Sequence, residues 1–235
     1  DVVRSRGLGD VYKRQEVRLL SIINGDVDYK AQSLQLASAP ALLDGQAQGN
    51  YTVDLRPEIT LGVFSFNVTH ENEAKRNVFG DIRFREAMSI AINRAELNDV
   101  GFFGEGTPQQ YIGFSPKPAF VSDKWMSHAT EFDAARANSL LDEIGMKDTD
   151  GDGFRELPNG DKLVLNMSFA TQGIAGQTVE LVGQYWADVG VQSVVKEVTP
   201  DEYRSAQSAN KLDVMMWRKS QPCLLYTSDA ADDSA

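Results

Sequence analysis

Four acidic side chains within a short stretch form the most metal-like pattern in this chain. Asp148, Asp150 and Asp152 alternate with other residues, Gly153 follows, and Glu156 comes three residues later. This spacing matches positions 1, 3, 5, 6 and 9 of an EF-hand-type calcium loop, and calcium prefers clustered carboxylate oxygens. The pattern is compatible with a calcium loop or with a tight acidic turn.

Two departures from the calcium pattern favour the turn. Asn159 stands where the loop needs a bidentate Glu, and Arg155 occupies a position that is normally apolar. Asn159-Gly160 is also a type I′ turn signal in front of an apolar run. We therefore expect an Asp/Gly turn that feeds a hairpin and assign no metal. A calcium-stabilised interaction domain built on the loop from Asp148 to Asp152 is the alternative.

The chain carries no motif of a known catalytic mechanism. His70 and His128 are its two histidines, and neither has a Cys or a regularly spaced carboxylate beside it, whereas zinc needs three or four converging ligands. A nucleophile elbow, a P-loop, an HExxH pair and a dinucleotide-binding glycine fingerprint are all missing from the sequence. We therefore expect a protein without enzymatic activity and without a cofactor.

Charge and hydropathy exclude further classes of protein. The net charge is −11 at pH 7 and no Lys/Arg run occurs, which argues against binding to nucleic acid or to an anionic membrane. No apolar run approaches the roughly 20 residues that span a bilayer. Cys223 is the single cysteine, so a disulfide framework is excluded.

The two ends of the chain are unusual in their possible codons. Residues 10–15 can be encoded by GATGTGTATAAGAGACAG and residues 223–228 by TGTCTCTTATACACATCT. These strings are reverse complements over nearly their whole length, and both resemble the transposon-end adapters that are ligated to DNA before sequencing. We therefore expect residues 1–15 and 223–235 to be adapter-derived and residues 16–222 to be an internal fragment of a longer protein.

The remaining residues alternate between helical and extended patterns. Apolar stripes predict helices at residues 17–23, 81–92 and 178–189. Capping residues predict three further helix starts, at Asn93, at Asp133 and at the capping box of Thr199. Strands are predicted at residues 26–29, 51–55, 59–68, 163–169, 191–198 and 212–217, where β-branched and aromatic residues concentrate. This alternation predicts an α/β structure with helices packed on a sheet.

Several short runs follow one another in an order that is typical of one family. They are residues 64–67, 79–87, 91–97, 104–108, 133–145, 150–154, 189–191 and 212–215. Together they resemble the peptide and nickel type, family 5, of the extracellular solute-binding proteins of bacterial ABC transporters. The resemblance implies a type II, periplasmic-binding-protein-like fold with two lobes. Residues 16–60 would be the end of the first lobe and the crossover, and residues 61–222 the second lobe.

The same resemblance implies a ligand surface and partners. By position, Phe66 and Asn67 at the crossover and Met216, Trp217 and Arg218 at a strand end would line the cleft. Arg218 would suit a ligand carboxylate, although a solvated strand-end charge is equally compatible. The implied partners are an oligopeptide or similar small solute and the permease subunits, in the periplasm or at the outer surface of the membrane with an anchor. Oligosaccharides, opines and chelated nickel stay open as solutes.

We predict that sequencing the gene across both junctions, with primers outside them, will replace residues 1–15 and 223–235 by other codons. The reading frame should continue on both sides, because residues 16–222 are expected to be internal. Recovery of the same terminal codons from an independently cloned gene would contradict the adapter assignment.

Overall fold

The computed structural model describes residues 8–30, 34, 36–55, 62–110, 119–170 and 174–217, with side chains from residue 16 onward. Packing divides the chain into two units, Asp1–Pro57 and Glu58–Ala235. The assignment of these units to the two lobes of a binding protein stays a prediction.

The first unit is helical where it is described. Helix α1 (Leu8–Ile23) is followed by a 3₁₀ turn (Leu36–Ser38), α2 (Ala39–Asp44) and α3 (Gln46–Gly49). Gly25 ends α1 with a left-handed φ of +79°, the conformation that glycine adopts without strain. Helix α1 also crosses the predicted adapter junction between residues 15 and 16. Helical hydrogen bonds are made by the backbone and form whatever DNA encodes the residues. A continuous helix therefore does not test the adapter assignment, which stays a prediction.

The strands predicted at residues 26–29 and 51–55 are wrong, since both stretches are irregular. Side chains and helix carbonyls replace a neighbouring strand in the second stretch. The Val53 N–H donates to Gln46 Oε1 at 2.8 Å, and the Tyr51 hydroxyl donates to the Leu42 carbonyl at 2.7 Å. Extended patterns in sequence need a pairing partner, and this unit supplies none in its described residues.

The second unit contains four strands and seven helices in its described part. The helices are α4 (Glu73–Gly80), α5 (Ile82–Ile90), α6 (Arg94–Phe102), α7 (Asp123–Met126), α8 (Ala134–Glu143), α9 (Gly176–Asp188) and α10 (Pro200–Ser208). The strands are β1 (Val63–Phe66), β2 (Val164–Phe169), β3 (Gln192–Glu197) and β4 (Val214–Trp217). Strand β1 pairs with β4 in antiparallel fashion, and β2 pairs with β3 in parallel, with α9 between them in the chain, as a parallel connection requires.

Most predicted elements of this unit are confirmed, and two helices, α4 and the short α7, were missed. The caps at Asn93, Asp133 and Thr199 all accept a hydrogen bond from the first turn, and Thr199 completes the predicted capping box. The predicted strand at residues 59–68 is observed as β1, while residues 59–61 lie outside the described residues. Helix α4 was not predicted, because its apolar stripe is short. Its signal was Asn72, whose side chain caps it.

The core of the second unit lies around Trp186. This indole is 1 % exposed, and its Nε1 donates to the Met88 carbonyl at 2.9 Å. Phe64 and Phe66 of β1 pack against it with ring centroids 5.6 and 5.4 Å away, within the range of favourable aromatic pairs. The face of β1 that carries these rings is thereby fixed toward α5 and α9.

Asp213 joins the two sheets, which share no backbone ladder in the described part of the chain. Its carboxylate is 1 % exposed at the start of β4. Oδ2 accepts from the Asn166 N–H of β2 at 2.8 Å and from Asn166 Nδ2 at 3.1 Å. Oδ1 accepts from His70 Nε2 and from Lys75 Nζ, both at 3.0 Å. A side chain thus takes the place of a strand-to-strand hydrogen bond.

His70 orients this carboxylate through a defined tautomer. Its Nδ1 accepts from the Asn72 N–H at 2.9 Å, so the ring proton that reaches Asp213 is on Nε2. Asn72 is also the cap of α4, and Lys75 lies in the first turn of that helix. The start of α4 is therefore tied to both sheets through one buried carboxylate.

Replacing Asp213 with Asn should lower the free energy of unfolding by about 3 kcal/mol, because the Lys75 ammonium, whose side chain is 16 % exposed, loses its counter-charge. The substitution would also replace one carboxylate oxygen by an amide nitrogen, which cannot accept the hydrogen bonds that this oxygen now accepts from its neighbours. Urea denaturation followed by circular dichroism measures the change. Lys211→Met is the matched control, since Lys211 pairs with Glu71 in an exposed position, where solvent screens the attraction, and we expect a much smaller loss of stability than in Asp213→Asn. Equal small losses in both variants would contradict a central role for Asp213.

Candidate functional site

The predicted ligand residues that the structure describes lie on or beside the ribbon formed by β1 and β4. Its register pairs Val63 with Trp217 and Phe66 with Val214. Successive side chains of a strand point to opposite faces. One face of the ribbon, which includes Phe66 and Met216, packs on the main core, and the other, which includes Trp217, packs beside Tyr203 of α10.

Phe66 is a packing residue of the main core. Its ring centroid lies 5.0 Å from that of Phe84, 5.4 Å from Trp186 and 5.6 Å from Phe79. It keeps part of its surface exposed. A contact between Phe66 and a solute stays a prediction.

Asn67 uses the hydrogen-bonding capacity of its side chain within the second unit. Its Nδ2 donates to Asn210 Oδ1 at 2.9 Å and to the Leu212 carbonyl at 3.0 Å. Its Oδ1 accepts from the N–H and from the hydroxyl of Thr69, both at 3.0 Å. An Asn side chain has two N–H donors and one acceptor oxygen with two lone pairs. Asn67 therefore holds the turn after β1 against the loop before β4, and a solute would have to displace one of these bonds.

Met216 does not fit the predicted cleft position, because its side chain is 0 % exposed and belongs to the main core. Its main-chain groups are also occupied: the N–H donates to the Tyr203 hydroxyl at 2.8 Å, and the carbonyl accepts from the same hydroxyl at 3.0 Å. The strand period places it inward, opposite to Trp217. The prediction that Met216 lines a cleft is therefore corrected.

Trp217 is the predicted ligand residue whose side chain lies on the outer face of β4. It is partly exposed, and its ring centroid is 5.1 Å from that of Tyr203 with 31° between the planes. An indole in this position offers an apolar face and one N–H donor. Arg218, the next predicted residue, lies outside the described residues. The candidate solute surface is therefore the outer face of β4 at Trp217.

The acidic loop makes most of its hydrogen bonds to its own backbone. Asp148 accepts from the Gly151 N–H at 2.7 Å and from the Gly153 N–H at 2.9 Å. Asp150 and Asp152 accept from N–H groups two residues further on, at 3.1 and 2.9 Å. Together with Glu156, these residues place one carboxylate oxygen each within 4.8 Å of one another. The loop has the concentrated negative charge that the sequence predicted.

Lys162 supplies a positive charge to this loop, and sequence reasoning missed it. Its Nζ lies 2.7 Å from Asp150 Oδ2 and 2.6 Å from Asp152 Oδ2. These bonds to Asp150 and Asp152 raise the pKa of Lys162 above its usual value, and the bond from Lys162 lowers the pKa of Asp152. The spacing motif gave no sign of Lys162, which reaches the loop because Glu156 and Lys162 form an antiparallel bridge. The predicted hairpin therefore carries its own cation.

Arg155 explains why the loop departs from the calcium pattern. Its guanidinium donates to the Val189 carbonyl at 3.0 Å, to the Met146 carbonyl at 2.6 Å and to Asn138 Oδ1 at 2.9 Å. The first two carbonyls follow α9 and α8, where a cation stabilises unpaired helix carbonyls. Arg155 thus anchors the loop to the second unit and is not available for pairing with another loop.

A cavity of about 450 Å³ lies beside α4. Its lining residues are Glu73, Ala74, Asn77, Val78, Asp81, Ile144, Pro158 and Asn159. The Asp81 carboxylate is already engaged, since it caps α5 and pairs with Arg83 at 2.7 Å. The cavity shares no residue with the candidate solute surface.

Comparison with known families connects this geometry to one of them. The middle region of the bacterial extracellular solute-binding proteins, family 5, matches residues 10–222. The chain belongs to this family. The family predicted from the sequence is therefore confirmed, and so is the type II, two-lobed periplasmic-binding-protein fold that goes with it, of which the chain is a part.

Individual relatives agree in fold and differ in what their names say they bind. The oligopeptide-binding protein OppA is 29 % identical, with a TM-score of 0.70, over 92 % of this chain and 35 % of its own. The periplasmic binding protein MelB of Agrobacterium fabrum C58, solved with stachyose, is 19 % identical with a TM-score of 0.71, over 88 % of this chain and 33 % of its own. A periplasmic alpha-galactoside-binding protein of Rhizobium meliloti (strain 1021) is 26 % identical over 161 residues, 63 % of this chain and 22 % of that protein.

The chain thus spans about a third of the length of the two solved structures. In the described part of the chain, no helix is both long and apolar enough to cross a bilayer.

We predict that calcium will not stabilise the wild-type chain, because the Lys162 ammonium already pairs with Asp150 and Asp152 and reduces the negative charge that would attract a cation. A site with a dissociation constant of about 1 mM would add about 1.4 kcal/mol at about 10 mM calcium, enough to raise the melting temperature by a few degrees. Differential scanning fluorimetry with and without calcium measures this shift.

Lys162→Met is the matched variant for this test. It should melt at a lower temperature than the wild type, since the carboxylates then repel one another, and calcium should restore part of the loss. A clear calcium shift in the wild type would contradict the interpretation of Lys162 as an internal cation.

Proposed function

We propose that this chain is part of the solute-binding component of an ABC importer and that its solutes are oligopeptides. The proposed protein is non-catalytic, works outside the cytoplasmic membrane in the periplasm or on a membrane anchor, and delivers its solute to permease subunits. The family match over residues 10–222 supports the general role. The oligopeptide assignment rests on the likeness to OppA, which combines 29 % identity with coverage of 92 % of this chain.

The proposed solute surface includes Trp217 at the end of β4. Its indole can pack against an apolar side chain or a peptide plane and can donate one hydrogen bond. In a two-lobed protein, the solute is enclosed when the lobes close around a hinge. The second unit would supply one rigid wall, because β4 is held by β1 on one side and by the Asp213 network at its start.

An oligosaccharide importer is the second candidate function. The relative from Rhizobium meliloti is named for alpha-galactoside binding, and MelB was solved with stachyose. An exposed indole face also suits the apolar face of a sugar ring. Identity to MelB is 19 %, which supports the shared fold and no more, so peptides remain the preferred solutes.

We predict that the longer protein will bind tri- to pentapeptides in isothermal titration calorimetry and will show no heat with stachyose. Trp217→Ala should weaken peptide binding at least about tenfold, which corresponds to about 1.4 kcal/mol. Trp125→Ala is the matched control, because Trp125 in α7 is 60 % exposed and lies outside the ribbon; its affinity should not change. Heat with stachyose and none with peptides would replace the proposal by the second candidate.

The chain by itself should bind the same peptides no more tightly than the millimolar range. It covers about a third of the solved relatives, and a cleft between two lobes needs contacts from both, so most of the binding free energy would be missing. Calorimetry on the isolated chain checks this expectation. Micromolar binding would show that the second unit carries a complete site.

A further inference from the structure

Tyr203 of α10 makes an unusual pair of hydrogen bonds to one residue of β4. The side chain is 1 % exposed. Its hydroxyl accepts from the Met216 N–H at 2.8 Å and donates to the Met216 carbonyl at 3.0 Å. One hydroxyl therefore satisfies both main-chain polar groups of a buried strand residue.

The register of the ribbon explains why Met216 needs this partner. In an antiparallel pair, residues alternate between those that exchange hydrogen bonds with the neighbouring strand and those whose N–H and C=O point to the other edge. The bonds to Tyr203 place Met216 in the second group, while Trp217, opposite Val63, falls in the first. Tyr203 thus closes the outer edge of β4 as a further strand would.

The same side chain also packs against Trp217. The two ring centroids are 5.1 Å apart with 31° between the planes. Both rings belong to a small apolar cluster separate from the main core, together with Ala170, Val198, Ala206, Leu212 and Met215. Tyr203 therefore fixes the backbone at Met216 through its hydroxyl and the indole at Trp217 through its ring.

We propose that Tyr203 is a positioning residue of the solute surface: it holds the Trp217 indole on the outer face of β4 without touching the solute and thereby sets solute affinity. This proposal rests on the proposed function of Trp217. A binding surface that is populated only part of the time lowers the apparent affinity by that fraction. Loss of the hydroxyl leaves two buried main-chain groups unpaired, so the last residues of β4 open more often.

Acrylamide quenching of tryptophan fluorescence tests the positioning in this chain without any solute. Of its three tryptophans, Trp186 is buried and Trp125 is 60 % exposed. In a Trp125→Phe background, the quenchable emission therefore reports mainly on Trp217, and adding Trp217→Phe identifies that component. Tyr203→Phe keeps the ring and removes the hydroxyl. We expect it to raise the quenching constant of Trp217 about twofold as the strand end opens.

Tyr185→Phe is the matched control. It removes one hydroxyl from the same unit, where Tyr185 donates to Glu96 Oε2 at 2.8 Å, but Tyr185 lies on α9 in the main core and outside the Tyr203 cluster. We expect unchanged quenching of Trp217 in this variant. Equal quenching changes in the two variants, or no change in Tyr203→Phe, would overturn the positioning role.

Amide hydrogen exchange of the wild-type chain gives a second measurement that needs no folded variant. Protection of the Met216 amide is expected, since its N–H donates to Tyr203 rather than to a strand or to water. Exchange as fast as that of an exposed loop amide would overturn the proposal even if Tyr203→Phe did not fold.

Peptide titration of the longer protein separates this inference from the proposed function. A loss of affinity in both Trp217→Ala and Tyr203→Phe, with a normal Tyr185→Phe, is the expected result. If quenching rises in Tyr203→Phe while peptide affinity stays unchanged, the effect on affinity is refuted. If Trp217→Ala also binds normally, the proposed solute surface fails with it. If Trp217→Ala weakens binding but Tyr203→Phe changes neither quenching nor affinity, the proposed function stands and the positioning role fails.

Discussion

The buried carboxylate of Asp213 is the constraint on which the second unit depends. A charge that is 1 % exposed is tolerated only when partners replace its lost hydration. Asp213 obtains them from Lys75 and His70 on one side and from Asn166 on the other. Because these partners come from α4, from the turn before it and from β2, the carboxylate sets how three parts of the chain meet at the start of β4.

The position of the candidate solute surface follows from this arrangement. The Asp213 carbonyl accepts from the Asn67 N–H at 2.9 Å, which continues the pairing of β1 with β4 and sets its register. Once the register is set, the alternation of strand side chains directs Met216 inward and Trp217 outward. Tyr203 then closes the free edge of β4. The register of β1 and β4 thus explains why Trp217 faces outward, why Met216 is buried and why the Met216 main chain bonds to Tyr203.

The acidic loop illustrates how a sequence motif can be right about charge and incomplete about function. The alternating Asp residues do converge, as the spacing predicted. The cation beside them is Lys162, which arrives from the far side of a hairpin. The spacing of the Asp residues predicts that they converge. It does not predict that Lys162 lies beside them, because that depends on how the hairpin pairs Glu156 with Lys162.

The sequence by itself determined the family, the helices with a long apolar stripe, the helices that begin at the caps Asn93 and Thr199, and the positions of β1, β2, β3 and β4. These features depend on neighbours within a few residues, which periodicity and capping describe directly. Tertiary structure alone decided that residues 26–29 and 51–55 are not strands and that the Met216 side chain is buried. It also decided that the Tyr203 hydroxyl hydrogen-bonds to the main chain of Met216. Each of these outcomes depends on whether a residue distant in sequence packs or hydrogen-bonds there. A strand needs a neighbouring strand, a buried side chain needs others packed around it, and the main chain at a strand edge needs a hydrogen-bonding group.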